Sequence, residues 1–344
     1  MPSTTTILAT CLCGSNSHPI SFATSSLPVP VHLCHCDTTR HVSGLLCSSY
    51  VPIPDAPFPV TSLTQYHSSP EVTRYFCSTC GAPMFVKIRG SQQEADRLEV
   101  ATGALEKTDG IVSWVSHIWV GDSLDGGLAS WLPSFDNISM PSYEQCFNVS
   151  RTLPKGWRQK ALAPSHDTGK LLANCHCGGV KFYITRPNED SKNAKCPDDL
   201  VPFSSSEGAD SETPKWWLRD NDTKYVAGMC ACKSCRSASG FEVQTWAFVP
   251  RCNISTIDGT LWDYGFGTMI QYKSSEGTYR EFCARCGATV FWHCDERPDI
   301  IDVSVGLLHT PEGARAENWL HWWTEYIIFD DEAVSQNLIR DLGS

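Results

Sequence analysis

Three cysteines in the second half of the chain have the types and spacing needed for metal chemistry. Cys230, Cys232 and Cys235 lie within six residues, and no further cysteine near them completes a set of four sulfurs. Three thiolates on Zn²⁺ leave one coordination position open, which is typical of a catalytic zinc site. The alternatives are a site closed by a fourth protein group and a site without metal. We predict that these three residues bind a catalytic zinc ion.

Eight further cysteines form short pairs that are typical of structural zinc sites. Each half of the chain contains a C-x-C-G sequence and, later, a C-x-x-C-G sequence. Together the two pairs supply four thiolates, the number in a closed tetrahedral site. Small core residues or redox pairs are the alternative, but they would not explain why the arrangement recurs. The predicted ligands are Cys11, Cys13, Cys77 and Cys80 in the first half, and Cys175, Cys177, Cys283 and Cys286 in the second.

The first half departs from the second within its middle cysteine block. Residues 34–44, CHCDTTRHVSG, align without a gap on residues 230–240, CACKSCRSASG. In this alignment Thr39 occupies the position of Cys235. A neutral hydroxyl is a poor zinc ligand, so the block keeps only two of its three thiolates.

The two thiolates that remain in this block, Cys34 and Cys36, would need another ligand to hold zinc. His35, Asp37 or His41 could supply it. The simpler hypothesis is that the first half has lost the reactive metal and kept the structural one. We therefore expect about three zinc ions per chain, two structural and one catalytic.

These blocks recur because the chain contains two copies of one unit. Residues 75–85, YFCSTCGAPMF, also match residues 281–291, EFCARCGATVF, and all blocks follow in the same order in both halves. Internal similarity of this kind indicates tandem modules. We predict a module over residues 1–135, a connector over 136–168 that is rich in Pro, Ser and Lys, and a second module over 169–335.

Local patterning favours strands in both modules. Residues 180–185, 243–249 and 300–305 are β-branched, aromatic and often alternating in polarity, whereas long amphipathic helices are absent. The predicted fold class is mainly β, with the cysteine pairs on turns between strands. A polar insertion over residues 186–222 lengthens the second module, and we expect it to form a surface loop.

Composition limits the classes of partner and the cell compartment. The formal net charge of −11 over 344 residues repels phosphate backbones, so we expect no nucleic-acid partner. No apolar run reaches the roughly 20 residues of a membrane span, and the first residues do not form an export signal. We expect a cytoplasmic protein with a small-molecule substrate and no membrane partner.

Three other residues have less specific signals. Arg236 follows the last thiolate of the triplet and could pair either with an anionic substrate or with a carboxylate in a structural salt bridge. His117 and His321 each stand two residues before a tryptophan and could reach a pocket. For both histidines we favour a role in packing.

In combination, these motifs resemble the CENP-V/GFA family, which is named for glutathione-dependent formaldehyde-activating enzymes. The resemblance rests on C-x-C-G, C-x-C-x-x-C-R-x-x-x-G, F-C-x-x-C-G, and a tail with G-x-L and H-x-W. It implies tandem compact, coiled antiparallel β-sheet modules with two zinc sites in each complete module. It also implies that the four paired cysteines of the second half form its structural site and that the triplet forms its catalytic site. The change at Thr39 suggests that the two halves mimic a dimer in which one half is a support.

The resemblance further implies a lyase of the carbon–sulfur class, with glutathione as a candidate co-substrate. A zinc with three thiolates is a weak Lewis acid but can still lower the pKa of a substrate thiol and direct it to an electrophilic carbon. Two alternatives stay open. One is a zinc-dependent lyase, dehydratase or cyclase that acts on a larger metabolite without glutathione, and the other is a non-catalytic zinc-stabilised interaction protein.

Overall fold

Strands dominate the regular structure, and the helices are short. The computed structural model describes residues 3–53, 62–90, 95–159, 169–197 and 215–343. The mainly-β fold class is confirmed within these ranges. The α-helices found there are α1 (Asp37–Ser43), α2 (Glu189–Lys192), α3 (Lys233–Ser239) and α4 (Gln336–Leu342).

The first half forms a two-stranded hairpin and a nine-stranded sheet. The hairpin strands are β1 (Thr4–Thr10) and β2 (Ser17–Ala23). The long strands of the sheet are β3 (Val29–Cys34), β4 (Ser48–Ile53), β5 (Leu63–His67), β6 (Val72–Cys77), β7 (Pro83–Ile88), β8 (Arg97–Ala101) and β9 (Val112–Ile118). Four short strands follow: β10 (Ser134–Phe135), β11 (Ile138–Ser139), β12 (Ser142–Tyr143) and β13 (Thr152–Leu153).

The second half repeats this plan with a three-stranded and an eight-stranded sheet. The small sheet contains β14 (Lys170–Asn174), β15 (Lys181–Thr185) and β19 (Ile254–Thr256). The large sheet contains β16 (Leu218–Arg219), β17 (Lys224–Cys230), β18 (Gln244–Pro250), β20 (Met269–Ser275), β21 (Thr278–Cys283), β22 (Thr289–Cys294), β23 (Ile300–Ser304) and β24 (Leu320–Ile328).

Strand order shows that the two large sheets share one topology. The path β3-β4-β8-β7-β6-β5 in the first sheet corresponds to β17-β18-β23-β22-β21-β20 in the second. Pairing along both paths is antiparallel, whereas β9 joins β3, and β24 joins β17, in parallel. The tandem β modules predicted from the sequence are therefore present, with a parallel strand added to each sheet.

The segment between the modules takes part in the first sheet, because β12 pairs with β9 and β13 pairs with β12. Residues 160–168 of the predicted connector, and residues 198–214 of the predicted surface insertion, lie outside the described residues. We keep 1–135, 136–168 and 169–335 as the proposed first module, connector and second module.

The two modules meet through the backbone of matched glycines. The amide of Gly103 donates to the carbonyl of Gly240, and the amide of Gly306 donates to the carbonyl of Gly44, both at 3.0 Å. Gly103 and Gly306 occupy equivalent positions, as do Gly44 and Gly240, so the contact is reciprocal. One apolar core cluster contains buried residues of both modules.

Side chains at these glycines would force the modules apart. A Cβ on Gly103 would lie 2.3 Å from the backbone of Gly240, and one on Gly306 would lie 2.2 Å from the carbonyl oxygen of Leu45. We expect Gly103→Ala and Gly306→Ala each to lower the free energy of unfolding by about 1–3 kcal/mol, as overpacking does in cores. Urea denaturation measures this. Gly343→Ala is the control, since its Cβ would meet nothing closer than 3.5 Å, and an equal loss there would contradict the explanation.

Candidate metal centres

The first of the two four-cysteine clusters joins the β1–β2 hairpin to the large sheet of its module. Cys11 and Cys13 lie in the hairpin turn, Cys77 ends β6, and Cys80 lies in the turn before β7. Their four sulfurs lie within 4.8 Å of one another. The backbone amide of Asn16 donates to Cys11 Sγ at 3.3 Å, and its side-chain amide donates to Cys77 Sγ at 3.3 Å.

The second cluster repeats this arrangement in the other module. Cys175 and Cys177 lie in the β14–β15 turn, Cys283 ends β21, and Cys286 precedes β22, again with all sulfurs within 4.8 Å. Amides in the turn face the sulfurs, because the amide of Val180 donates to Cys175 Sγ at 3.3 Å. A left-handed glycine follows each C-x-C pair, with φ of +74° and +67° in the two turns.

The donor chemistry of both clusters fits a zinc ion. Four thiolates brought this close repel one another unless a cation lies between them, and amide donors toward sulfur are a usual second shell of zinc–thiolate sites. Each set is also mostly buried, with one partly exposed sulfur side chain. Both can therefore hold a closed, four-coordinate structural zinc.

The triplet predicted to be catalytic is brought together at one end of the second large sheet. Cys230 ends β17, Cys232 caps the N-terminus of α3, and Cys235 lies in its first turn with its amide 3.3 Å from Cys232 Sγ. The three sulfurs lie within 4.8 Å of one another, and no histidine, aspartate, glutamate or fourth cysteine of the described residues joins that group. The donor set fits zinc with an open position.

Arg280 belongs to this centre and was missed by the sequence analysis. Its guanidinium Nη2 donates to Cys235 Sγ at 3.4 Å, and the residue is 4% exposed. Within the described residues, its Nε and Nη1 atoms are buried without a hydrogen-bond partner. Hydrogen bonds from the other two thiols, reinforced by the charge of Arg280, hold the pKa of Cys235 well below its usual range. Arg74 occupies the same position in the first half, and this repetition was the available signal.

A carboxyl group lies on the same face of the sheet. Arg280 pairs with Trp292 across β21 and β22, and Trp292 pairs with Asp302 across β22 and β23. Residues directly opposite in antiparallel strands project to one face, so the three form a row. Burial raises the pKa of Asp302 to about 6, although Arg297 Nη2 contacts its Oδ1 at 2.5 Å.

Aromatic rings surround that ion pair. The guanidinium carbon of Arg297 lies 5.6 Å from the ring centroid of Trp216, 5.8 Å from that of Phe248 and 5.3 Å from that of Trp292. Cation–π contacts of this kind hold a guanidinium over apolar surface. The face that carries the triplet is therefore bordered by an aromatic wall.

The corresponding block of the first module lacks a third metal-binding group. Cys34 Sγ lies 3.5 Å from Cys36 Sγ, and Thr39 Oγ1 lies 3.2 Å from Cys36 Sγ. Arg74 Nη2 donates to Thr39 Oγ1 at 3.3 Å, in place of the contact that Arg280 makes with a sulfur. In the described ranges, Cys34 and Cys36 belong to no group of three or more metal ligands.

The three candidate replacement ligands have other partners. His35 Nε2 lies 3.0 Å from Nδ1 of His117, Asp37 pairs with Arg40, and His41 Nδ1 lies 2.8 Å from the carbonyl oxygen of Asn174. His117 is thus a buried packing residue. Its counterpart His321 is exposed and contacts Asp220, so the packing role expected for His321 is wrong.

Arg236 makes a structural salt bridge within the second module, at its contact with the first. Its Nε donates to Glu242 Oε2 at 2.7 Å, in a pair that is almost fully buried. The same guanidinium donates to the carbonyl oxygens of Thr102, Gly103 and Leu105 in the first module. Every nitrogen of its guanidinium group donates to a protein oxygen. The alternative that Arg236 binds an anionic substrate therefore has no support.

The family model of the glutathione-dependent formaldehyde-activating enzyme matches this chain twice, at residues 6–122 and 219–326. The chain therefore belongs to the glutathione-dependent formaldehyde-activating enzyme family, as the resemblance predicted. Each matched region contains the six-strand antiparallel path of one large sheet, which agrees with tandem modules. The search of curated proteins found no match. No helix among the described residues is both long enough and apolar enough to cross a membrane.

The number of zinc ions bound by variants of the chain distinguishes the three cysteine clusters. We expect three zinc ions per chain, and two in either Cys235→Ser or Cys283→Ser, because each variant removes a thiolate from one cluster. Only Cys283→Ser should lose substantial thermal stability, since a closed site contributes directly to folding. Elemental analysis and thermal denaturation measure both effects. Cys146→Ser is the control, because that exposed cysteine belongs to no cluster and should leave both values unchanged.

Proposed function

We propose that the chain is a zinc-dependent lyase of the carbon–sulfur class that adds or removes a thiol at an activated carbon, with its chemistry in the second module. One observation carries the proposal: the second module has three thiol ligands beside a buried arginine, whereas the first has two thiols and a threonine. Zinc at Cys230, Cys232 and Cys235 would supply an open position that lowers the pKa of a substrate thiol. Glutathione is the proposed co-substrate.

Arg280 balances the charge of this centre. Three thiolates and one Zn²⁺ have a formal charge of −1, which is costly in a buried site without a counter-charge. The Arg280 guanidinium, 3.4 Å from Cys235 Sγ, supplies that charge and restrains the sulfur. Its unpartnered Nε and Nη1 donors remain able to bind a substrate oxygen.

Asp302 is the proposed proton-transfer group. A carboxyl with a pKa of about 6 can both give and take a proton near neutral pH. In the addition direction, the thiol loses its proton to solvent, the S–C bond forms, the carbonyl π bond breaks, and Asp302 delivers a proton to the oxygen. In the elimination direction it takes that proton back as the C–S bond breaks.

The aromatic wall favours a second candidate, a lyase, dehydratase or cyclase that acts on a larger metabolite without glutathione. Trp216 and Phe248 are buried, whereas Trp292 is partly exposed in the row that contains Asp302, so its ring could pack against a flat substrate. Turnover of formaldehyde with and without glutathione separates the two. If no adduct forms above the uncatalysed rate while an aromatic carbonyl compound is turned over, the second candidate replaces the first.

The first module is proposed to be a support, so that the chain is an intramolecular pseudo-dimer. The reciprocal glycine contacts and the Arg236–Glu242 pair that reaches the first module favour this arrangement. We also propose a cytoplasmic location, where thiols stay reduced and available to metal.

The role of Asp302 can be tested against its counterpart in the first module. Asp302→Asn keeps the size of the side chain and removes its proton, so kcat should fall about 100-fold, in the range of lost acid–base catalysis. Glu99→Gln is the matched control, because Glu99 occupies the equivalent row in β8 and lies beside no cysteine triplet. Steady-state kinetics of thiol adduct formation measure both variants. Equal losses in the two, or none in Asp302→Asn, would contradict the assignment.

A further inference from the structure

The two-thiol block of the first module has a geometry of its own. Cys34 and Cys36 are both partly exposed, and their sulfurs lie 3.5 Å apart. Thr39 faces the pair with its hydroxyl, and its backbone amide donates to Cys36 Sγ at 3.3 Å. The block thus keeps the layout of the metal-binding triplet in the second module without its third sulfur.

The polar groups around the pair favour a thiolate on one sulfur. The Cys34 thiol donates a hydrogen bond to Cys36, and this bond lowers the pKa of Cys36 to about 6. The backbone amide of Thr39, which donates to Cys36 Sγ, and the positive charge of Arg74 act in the same direction. Cys36 is therefore the nucleophile of the pair, and Cys34 is the thiol that can resolve an adduct.

We propose that Cys34 and Cys36 form a thiol–disulfide exchange site that reacts with small-molecule disulfides. The site is separate from the zinc centres and does not depend on the lyase proposal. Closely spaced cysteines form strained disulfides, which are more easily reduced than structural ones. A bond between these two sulfurs is therefore suited to repeated exchange.

The exchange balances in two steps. The Cys36 thiolate attacks one sulfur of a disulfide RSSR, the S–S bond breaks, and one RS⁻ leaves. Cys34 then loses its proton to solvent and attacks the Cys36 sulfur, which expels the second RS⁻. Two protein thiols are oxidised to one disulfide, and RSSR is reduced to two thiols.

Peptide mapping of the zinc-loaded full chain after treatment with 2-hydroxyethyl disulfide tests the proposal. We expect a cross-link between Cys34 and Cys36, with loss of both of their free thiols, and no loss of zinc. In Cys34→Ser the cross-link is replaced by a stable mixed disulfide on Cys36, and in Cys36→Ser neither product forms. A wild-type chain in which both cysteines stay reduced, or carry only mixed disulfides, would overturn the proposal.

Thr39→Cys tests why the pair is free to react. This variant restores the C-x-C-x-x-C sequence of the second module, so it should bind one additional zinc and lose the cross-link. The zinc content also tests the opposite explanation, that Cys34 and Cys36 bind metal in the wild-type chain. If the double variant Cys34→Ser/Cys36→Ser loses a zinc ion while it remains folded by circular dichroism, the pair is a metal site and the proposal is wrong.

Discussion

Each module brings four cysteine sulfurs close together, an arrangement that a bound cation would make favourable when the sulfurs are thiolates. The four sulfurs tie a small hairpin to the turn after a long strand of the large sheet. The clusters also lie close to the joint between modules, because Tyr66 of the first module contacts His176, inside the second cluster's turn, at 2.6 Å. Burial, followed by the charge of that cluster, raises the pKa of Tyr66 to about 12. A metal ion bound in these clusters would therefore act on the structure of each module and on the contact between the modules.

The contact between the modules also depends on residues that differ between the two halves, as Thr39 differs from its counterpart Cys235. Arg236 pairs with buried Glu242 and with carbonyl oxygens of the first module. At the positions equivalent to Arg236 and Glu242, the first module has Arg40 and Leu46, and Arg40 pairs with the exposed Asp37 instead. The buried Arg236–Glu242 pair of the second module therefore binds the first module, and the first module has no equivalent pair. A divergence of this kind fits one module specialised for chemistry and one for support.

Strand patterning and the family resemblance were sufficient to predict the fold class, and cysteine spacing selected three sets of residues whose sulfurs the structure brings together. It could not identify Arg280 or Asp302 as neighbours, since their row exists only through the pairing of β21, β22 and β23. It also could not decide the role of Arg236, because the carbonyl oxygens of the first module that accept its hydrogen bonds lie more than a hundred residues away in sequence. Chemistry carried by residues close together in sequence could be predicted, whereas contacts that depend on the register between strands could not.

The central claim is that the reactive metal belongs to the second module alone. Anomalous diffraction from crystals of the zinc-loaded chain, recorded on both sides of the zinc absorption edge, tests it most directly. The predicted map has one peak in each four-cysteine cluster and one at Cys230, Cys232 and Cys235 with a non-protein fourth ligand. A peak of equal height between Cys34 and Cys36, or no peak at the triplet, would contradict it.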